Sequence, residues 1–184
     1  MRLVVGITGC SGVVYGVRFL EACRDLDVET DLIVSPAAEE IMSFEVDEDL
    51  EDVRSLAARS YDYDELDASI SSGSTRTDGM AIIPCSMKTL GAVASGVSDN
   101  LVTRSADVTL KEGRPLVVVP RETPLNLIHL ENMGKLDRAG ATILPAMPGF
   151  YHDPQTIDDL IDFIVGRILD QFDVEHQLYQ RWKG

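Results

Sequence analysis

Two Gly- and Ser-rich turns that follow apolar runs carry the residue types needed to bind a phosphate. The first is GITGCSG at residues 6–12, and the second is PCSMKT at residues 84–89. Each turn leads into a helical pattern, so its backbone N–H groups and hydroxyls lie at a helix N-terminus, where partial positive charge attracts anions. Because the carboxyl ends of parallel strands share one edge of a sheet, the two turns predict an anion site at that edge.

The first turn differs from the fingerprint of dinucleotide-binding proteins. That fingerprint is GxGxxG, and Thr8 stands at the position of its middle glycine. Glu29 and Asp31 fall in the region of the acidic ribose partner, but neither is unambiguous. The pattern therefore favours a mononucleotide phosphate over NAD, and a tight strand-to-helix turn without a ligand is the alternative.

Basic residues are scarce and dispersed, and four of those in the second half of the chain are of interest: Arg104, Lys111, Arg121 and Arg167. Each could equally form an ordinary surface salt bridge, worth at most about 1 kcal/mol. Glu122, after a predicted strand, is either an acid/base group or a solvated charge. His129, on a predicted helix, is interpreted as a packed histidine rather than a catalyst.

Composition limits the function classes. The 184 residues are 45% hydrophobic and carry a formal charge of −15, which disfavours nucleic acid and anionic membranes as partners. We expect one domain over residues 1–184, no membrane span, no signal peptide and a cytoplasmic location. The acidic balance also suggests a halophilic source, because concentrated salt screens the repulsion.

The three cysteines, Cys10, Cys23 and Cys85, match no zinc spacing, and their odd number argues against a disulfide framework. We interpret them as small buried thiols. Three histidines without an HxxxH spacing give metal chemistry no support, so no metal site is predicted.

Apolar runs alternate with helical patterns, which predicts a parallel sheet with helices on both faces. Residues 45–68 are difficult to interpret, apart from a helical stretch at 50–58, and residues 69–77 are a loop by composition. We expect Thr156 to cap the last helix. The predicted strands are 2–8, 29–35, 79–83, 115–119 and 141–144, and the predicted helices are 13–24, 36–44, 87–94, 100–111, 125–136 and 156–172.

Together these motifs resemble the UbiX flavin prenyltransferases. The resemblance covers nearly the whole chain apart from about residues 47–68, and it is carried by GITGCSGVVYGVR, the long segment from PCSMKT to PRETPL, HLENM and PAMPGFYHDPQTIDDLIDFIVGRILD. It implies a flavodoxin-like Rossmann fold, assembled as a homododecamer with active sites at subunit interfaces. It further implies transfer of the dimethylallyl group of dimethylallyl phosphate to N5 and C6 of reduced FMN. The product, prenylated FMN, would serve UbiD-type decarboxylases, with a link to ubiquinone biosynthesis.

The resemblance also implies residue roles. Flavin binding falls to Gly9, Cys10, Ser11, Ser35, Ser86, Met87, Lys88, Thr89 and Arg121. Binding of the dimethylallyl phosphate falls to Arg104, Lys111, Tyr151 and Arg167. The catalytic set is Ser11, Glu45, Lys111, Glu122 and Trp182, with the tail 173–184 packing on a neighbouring subunit.

The sequence departs from the family pattern at a few positions. Cys10 stands where alanine is usual, Gly113 stands where arginine is common, and residues 61–69 lack a tryptophan found in some members.

Three other functions are alternatives to prenyl transfer. Flavin-dependent cysteine decarboxylases of the phosphopantothenoylcysteine type carry PxSANT and PxMNxxMW, where this chain reads PCSMKT and PLNLIH. A flavin-binding electron carrier would not need cations around a second phosphate. Direct decarboxylation of aromatic acids is interpreted as the reaction of the partner enzyme.

Overall fold

The computed structural model describes residues 1–182. Within that range the chain alternates strands and helices, with one short 3₁₀ turn at Ser69–Ser71. The strands are β1 (Arg2–Ile7), β2 (Glu29–Val34), β3 (Arg59–Tyr61), β4 (Gly79–Cys85), β5 (Leu116–Pro120) and β6 (Thr142–Ile143). The helices are α1 (Val13–Asp25), α2 (Pro36–Glu45), α3 (Leu50–Leu56), α4 (Met87–Ala94), α5 (Leu101–Lys111), α6 (Leu127–Arg138) and α7 (Ile157–Asp170).

The strands form one parallel sheet in the order β3-β2-β1-β4-β5-β6. The chain winds outward from β1 to β3 and then returns to the other side of β1 to continue at β4. This reversal places a topological switch point between the carboxyl ends of β1 and β4, where ligands of such sheets bind. The predicted α/β fold, a flavodoxin-like Rossmann sheet with helices on both faces, is confirmed.

Each face of the sheet has its own apolar core. Leu3, Val5 and Ile7 of β1 belong to the core that α1, α2, α3 and α7 cover. Val4, from the same strand, belongs to the opposite core, which α4, α5 and α6 cover. Because a strand buried on both faces has no polar side, its sequence is a continuous apolar run. None of the helices within residues 1–182 is long and apolar enough to cross a membrane.

Side-chain caps fix where the helices begin. The hydroxyl of Ser35 accepts the N–H of Ala38 at 3.2 Å at the start of α2. Thr156 caps α7 as predicted, because its hydroxyl accepts the N–H of Asp159 at 3.1 Å while the Asp159 carboxylate accepts the N–H of Thr156 at 2.9 Å. These caps satisfy backbone donors that no helical carbonyl reaches.

The structure corrects three sequence-based expectations. The edge strand β3 was missed, because its three residues are polar or exposed and lie inside the segment that the sequence left uninterpreted. The helical spacing of the apolar residues in α1 predicts that Leu26 faces the sheet, but it is exposed beyond the end of the helix. His129 is not a core histidine, since it lies half-exposed in the first turn of α6 and its ring reaches back to the backbone of Asn126.

Candidate active site

The turn after β1 lies directly against the start of α2. A Cβ atom on Gly9 would be 2.4 Å from the Cβ of Ala37, so only glycine permits this approach. Ser35, at the end of β2, caps the same helix α2. A hydroxyl that accepts a backbone N–H keeps its own O–H to donate, so Ser35 adds a donor beside the first turn.

Thr8 connects the first turn to the turn after β4. Its hydroxyl donates to the carbonyl oxygen of Pro84 at 2.8 Å and accepts the N–H of Ser86 at 2.8 Å. Ser86 caps α4 by accepting the N–H of Thr89 at 3.2 Å, and its hydroxyl lies 3.1 Å from the Thr89 hydroxyl. The two Gly/Ser-rich turns therefore meet at the switch point, as the sequence predicts.

Charged side chains surround the first turn. The Nε of Arg121, after β5, donates to the carbonyl oxygen of Ser11 at 2.8 Å. The Glu45 carboxylate, at the end of α2, accepts the N–H groups of Gly12 and Val13 at 2.7 and 2.9 Å, at the N-terminus of α1. Glu122 is exposed beside Arg121, and its carboxylate accepts the N–H of Thr123 at 3.0 Å.

The thiol of Cys10 lies among these charges. Burial raises its pKa from 9.0 to about 12, the guanidinium of Arg121 lowers it, and Glu122 and Glu45 raise it further. The raised pKa keeps the thiol in its neutral, weakly nucleophilic form near pH 7. We name the whole arrangement the strand-edge cradle: Gly9, Cys10, Ser11, Ser35, Glu45, Ser86, Met87, Lys88, Thr89, Arg121 and Glu122.

The strand-edge cradle fits the phosphate end of a flavin. Helices α1, α2 and α4 all begin there, so the partial positive charge of three helix N-termini faces one place, with Glu45 accepting the first N–H groups of α1. Gly9 lets the first turn pack closely on Ala37 at the start of α2, and Arg121 adds a permanent positive charge. Within residues 1–182, no group of three His, Cys, Asp or Glu side chains could hold a metal ion.

Arg104 and Lys111 lie on one face of α5. Because an α-helix has 3.6 residues per turn, positions seven apart share a face. Arg104 donates from Nε to the carbonyl oxygen of Ser71 at 3.0 Å and pairs with Asp107 at 2.9 Å. Lys111, in the last turn, pairs with Glu112. We call these two residues the α5 cation pair.

A third group forms where the tail returns to α7. The ring of Tyr151 meets the ring of Trp182 edge-on, with 5.6 Å between centroids. Arg167 donates from Nη1 to the hydroxyl of Tyr179 at 3.3 Å and to Asp170 at 3.1 Å. The hydrogen bond to Tyr179 raises the pKa of Arg167, and Tyr151 adds a smaller contribution of the same sign. We call Tyr151, Arg167, Tyr179 and Trp182 the tail cluster.

One chain does not bring the α5 cation pair and Arg167 of the tail cluster together. Helix α7, which carries Arg167, packs on the core of one face of the sheet, whereas α5, which carries Lys111, packs on the other. The sheet therefore separates the two cations of a single copy.

Asp170 was missed by the sequence reasoning, although its position three residues after Arg167 on a helix is a spacing at which opposite charges meet.

The comparisons with known proteins bear on this arrangement. A protein-family model described as Flavoprotein matches residues 1–169. The flavin prenyltransferase UbiX of Thauera aromatica is 49% identical over 184 residues, which cover 100% of this chain and 95% of the relative. The chain belongs to the UbiX family of flavin prenyltransferases.

Two solved structures of UbiX-type proteins superpose on the whole chain. A dodecameric FMN-dependent UbiX-like decarboxylase from Escherichia coli O157:H7 matches with a TM-score of 0.98 and 50% identity, covering 100% of both chains. A UbiX protein in complex with FMN and dimethylallyl pyrophosphate matches with a TM-score of 0.98 and 49% identity, covering 100% of this chain and 97% of the other. The UbiX family thus includes a protein that binds FMN together with an allylic phosphate ester.

Proposed function

We propose that the protein is a flavin prenyltransferase that joins the dimethylallyl group of dimethylallyl phosphate to N5 and C6 of reduced FMN. The observation that carries this proposal is the full-length similarity to UbiX prenyltransferases combined with a strand-edge cradle that fits a flavin phosphate. The relative that holds both FMN and dimethylallyl pyrophosphate supports the pairing of these two ligands. Reduced FMN, when bound, supplies the nucleophilic atoms.

The cationic side chains are proposed to stabilise the leaving phosphate. When the allylic C–O bond breaks, the departing group carries about two negative charges, which Arg104, Lys111, Tyr151 and Arg167 can meet with charge-assisted hydrogen bonds. Preorganised donors of this kind are worth about 3–4 kcal/mol each in the transition state. Tyr151 and Trp182 add aromatic faces, which attract a carbon centre that becomes positive.

Proton movement is assigned to the strand-edge cradle. We propose that Glu122, exposed beside Arg121, and Ser11, whose carbonyl oxygen Arg121 contacts, exchange protons at the flavin edge. Glu45 holds the N-terminus of α1 through two backbone N–H groups. We propose that it orients the first turn and adds negative charge near the reacting atoms.

We further propose that a complete site needs several copies of the chain, because the sheet separates Lys111 from Arg167 within one copy. A dodecameric relative supports such an assembly. Exposed apolar side chains are the typical material of such interfaces. In one chain Phe44, Leu127, Ile128, Met147, Phe150 and Ile157 are each at least 66% exposed. We propose that residues 1–184 form one domain and that its tail, residues 173–184, packs on a neighbouring copy. Residues 183–184 lie outside the described part of the chain.

We propose that the product, prenylated FMN, passes to a UbiD-type decarboxylase. The family resemblance also suggests a connection of the protein with ubiquinone biosynthesis. Decarboxylation is thus assigned to the recipient enzyme. The deciding experiment is anaerobic incubation with reduced FMN and dimethylallyl phosphate, or dimethylallyl pyrophosphate in a second arm, followed by mass spectrometry of the flavin. A gain of one five-carbon unit supports the proposal, and unmodified flavin in both arms refutes it.

Finally, we propose that the formal charge of −15 is an adaptation to concentrated salt. Salt screens the repulsion between like charges that lie farther apart than the Debye length, which falls to about 3 Å at 1 M. The melting temperature should therefore rise as potassium chloride increases from low to molar concentration. A melting temperature that stays constant or falls would contradict the halophilic origin.

A further inference from the structure

Asp170, the last residue of α7, holds the chain segment that follows the helix. Residues 171–182 run as turns and irregular chain. Three of their side chains nevertheless meet this one carboxylate. The Tyr179 hydroxyl donates to Oδ2 at 2.6 Å, Arg181 donates from Nη2 to Oδ1 at 2.5 Å, and the His176 Nε2 lies 3.1 Å from Oδ1. The side chain of Asp170 is only 13% exposed, so these contacts enclose it.

The surface of α7 is shaped to receive this segment. A Cβ atom on Gly166 would lie 2.6 Å from both Cε1 of His176 and Cδ1 of Tyr179. Any other residue at this position would therefore push the tail away from the helix. The His176 side chain, only 1% exposed, is sealed between the tail and α7. Gly166 and Asp170 thus form a seat for residues 176–181.

The same carboxylate also fixes Arg167. The Arg167 guanidinium donates to Asp170 Oδ2 at 3.1 Å and to the hydroxyl of Tyr179 at 3.3 Å, while that hydroxyl donates to Asp170. A long side chain held by two partners loses its rotamer freedom before a ligand arrives, so less of it is lost on binding. Both contacts use Nη1, and a guanidinium carries five N–H donors, so further donors are present for an anion.

A chain of aromatic contacts connects the seat to Trp182. Tyr179 packs on Phe163 with 5.1 Å between ring centroids, Phe163 meets Tyr151 at 5.7 Å, and Tyr151 meets Trp182 at 5.6 Å. Arg181, bonded to Asp170, is the residue directly before Trp182. The indole is thus connected to Asp170 along the tail through Arg181 and across the aromatic rings through Tyr179.

We propose that Asp170 is a positioning residue, which docks residues 176–181 on α7 and thereby presets Arg167 and Trp182 for the prenyl donor. This inference rests on the proposed function, because it concerns the side chains assigned to the donor. Two guanidinium groups, of Arg167 and Arg181, meet the single carboxylate of Asp170, so this carboxylate anchors the tail and fixes Arg167 at the same time.

The first test measures tail docking without any reaction. Trp182 is the only tryptophan of the chain, so its time-resolved fluorescence anisotropy reports the motion of the tail alone. The variant Asp170→Asn removes the charge and keeps the shape, and we expect it to add a fast anisotropy decay absent from the wild type. The matched control is Asp162→Asn, on the same helix, where a carboxylate pairs with Arg18 at 2.7 Å, away from the tail.

The second test measures the consequence for prenyl transfer. In Asp170→Asn, kcat/KM for dimethylallyl phosphate should fall about tenfold or more, because Arg167 and Trp182 are no longer held in position. The Kd of FMN should stay within about twofold of the wild-type value, because the strand-edge cradle is intact. Tyr179→Phe, which removes one hydroxyl and keeps the ring, should show the same pattern in weaker form, and it replaces Asp170→Asn if that variant does not fold.

The proposal is overturned by any of three results. These are an unchanged anisotropy decay, a freed tail with unchanged kcat/KM, or an equal loss in Asp162→Asn. Absence of prenylation in the wild-type protein would instead refute the proposed function, and the anisotropy result would still decide whether Asp170 docks the tail.

Discussion

Arg121 and Ser11 are joined by a hydrogen bond of 2.8 Å from guanidinium Nε to carbonyl oxygen, although 110 residues separate them in sequence. Arg121 follows β5, and Ser11 belongs to the turn after β1. Since β4 lies between these strands in the sheet, the side chain of Arg121 bridges across the end of β4. This contact links two turns on either side of the switch point and gives the strand-edge cradle a fixed shape.

Replacing Arg121 with alanine should weaken flavin binding. The variant loses both the positive charge and the bond that holds the first turn, and a hydrogen bond to a charged group is worth about 1.5–3 kcal/mol. We expect the Kd of FMN to rise about 10- to 100-fold in a flavin-fluorescence titration. Arg138→Ala, at the exposed end of α6, should leave the Kd unchanged. An Arg121→Ala protein that binds FMN as tightly as the wild type would show that Arg121 does not belong to the flavin site.

Two inactive variants should restore activity to each other when they assemble together. Lys111→Ala and Arg167→Ala each remove a cation that we assign to the leaving phosphate, from opposite faces of the sheet. If the two cations of one site come from different copies, random co-assembly of both variants leaves about one quarter of the sites intact. Co-expressed chains with different tags, purified through both tags, should therefore recover part of the prenylation activity that each variant lacks.

Two controls accompany the co-assembly experiment. Mixing the separately purified oligomers without exchange of subunits should give no recovery. The double variant assembled with the wild type provides a reference for the proportion of intact sites. Complete lack of recovery in verified mixed oligomers would mean that one copy supplies both cations.

Glu122→Gln should slow turnover and leave flavin binding intact. The amide keeps the size of the side chain but cannot take up a proton, and positioned acid/base groups contribute about 100- to 10,000-fold to rates. We expect kcat for prenylated FMN to fall at least about 100-fold, with the Kd of FMN within about twofold. Glu40→Gln, an exposed carboxylate on α2, is the matched control. Equal product formation by Glu122→Gln and wild type would remove the acid/base role.

The three thiols should resist alkylation at moderately alkaline pH. Burial raises the pKa of Cys10 and of Cys23 from 9.0 to about 12, and it also raises the pKa of Cys85. A raised pKa means that the neutral thiol persists as pH increases, and the thiolate is the reactive form. At pH 8 the thiolate fraction of Cys10 should therefore be far below that of an ordinary cysteine. Iodoacetamide should label the folded protein slowly and the urea-unfolded protein at three sites, as measured by intact mass.

The two turns of the strand-edge cradle could be predicted from sequence because each is built from local residues. Ser35 and Ser86 each stand between an apolar run and a helical pattern, so their position at a helix start follows from neighbouring residues alone. A parallel sheet then brings all such turns to one edge. The central strands were predictable for a related reason, since burial on both faces requires continuous apolar runs.

The remaining features depend on contacts that spacing does not reveal. Lys111 and Arg167 look equivalent in sequence, and only the winding of the chain places them on opposite faces. Asp170 bonds to Tyr179 and Arg181, which lie in an irregular tail, and a segment without a periodic pattern does not predict such contacts. The strand β3 was missed because an edge strand of three residues pairs on one side only and gives no apolar signal.

That edge strand depends on one buried carboxylate, which gives a further prediction. Asp31 of β2 has a fully buried side chain, and it receives the Nε of Arg2 at 2.6 Å and the Nε of Arg59 at 2.7 Å. The bonds to Asp31 and Glu29 raise the pKa of Arg59, which stays charged. Replacing Asp31 with asparagine removes the anion that both guanidinium groups share, and breaking a buried pair in this way typically costs about 3–5 kcal/mol.

We expect Asp31→Asn to lower the free energy of unfolding by about 3 kcal/mol, near the lower end of that range because Arg2 and Arg59 are partly exposed and can be rehydrated. Urea unfolding followed by circular dichroism measures this loss, and hydrogen exchange should rise first in residues 59–61. Asp25→Asn, whose carboxylate is 65% exposed, should change the stability by less than about 0.5 kcal/mol. If the two variants prove equally stable, then β3 is held by its backbone pairing with β2 rather than by Asp31.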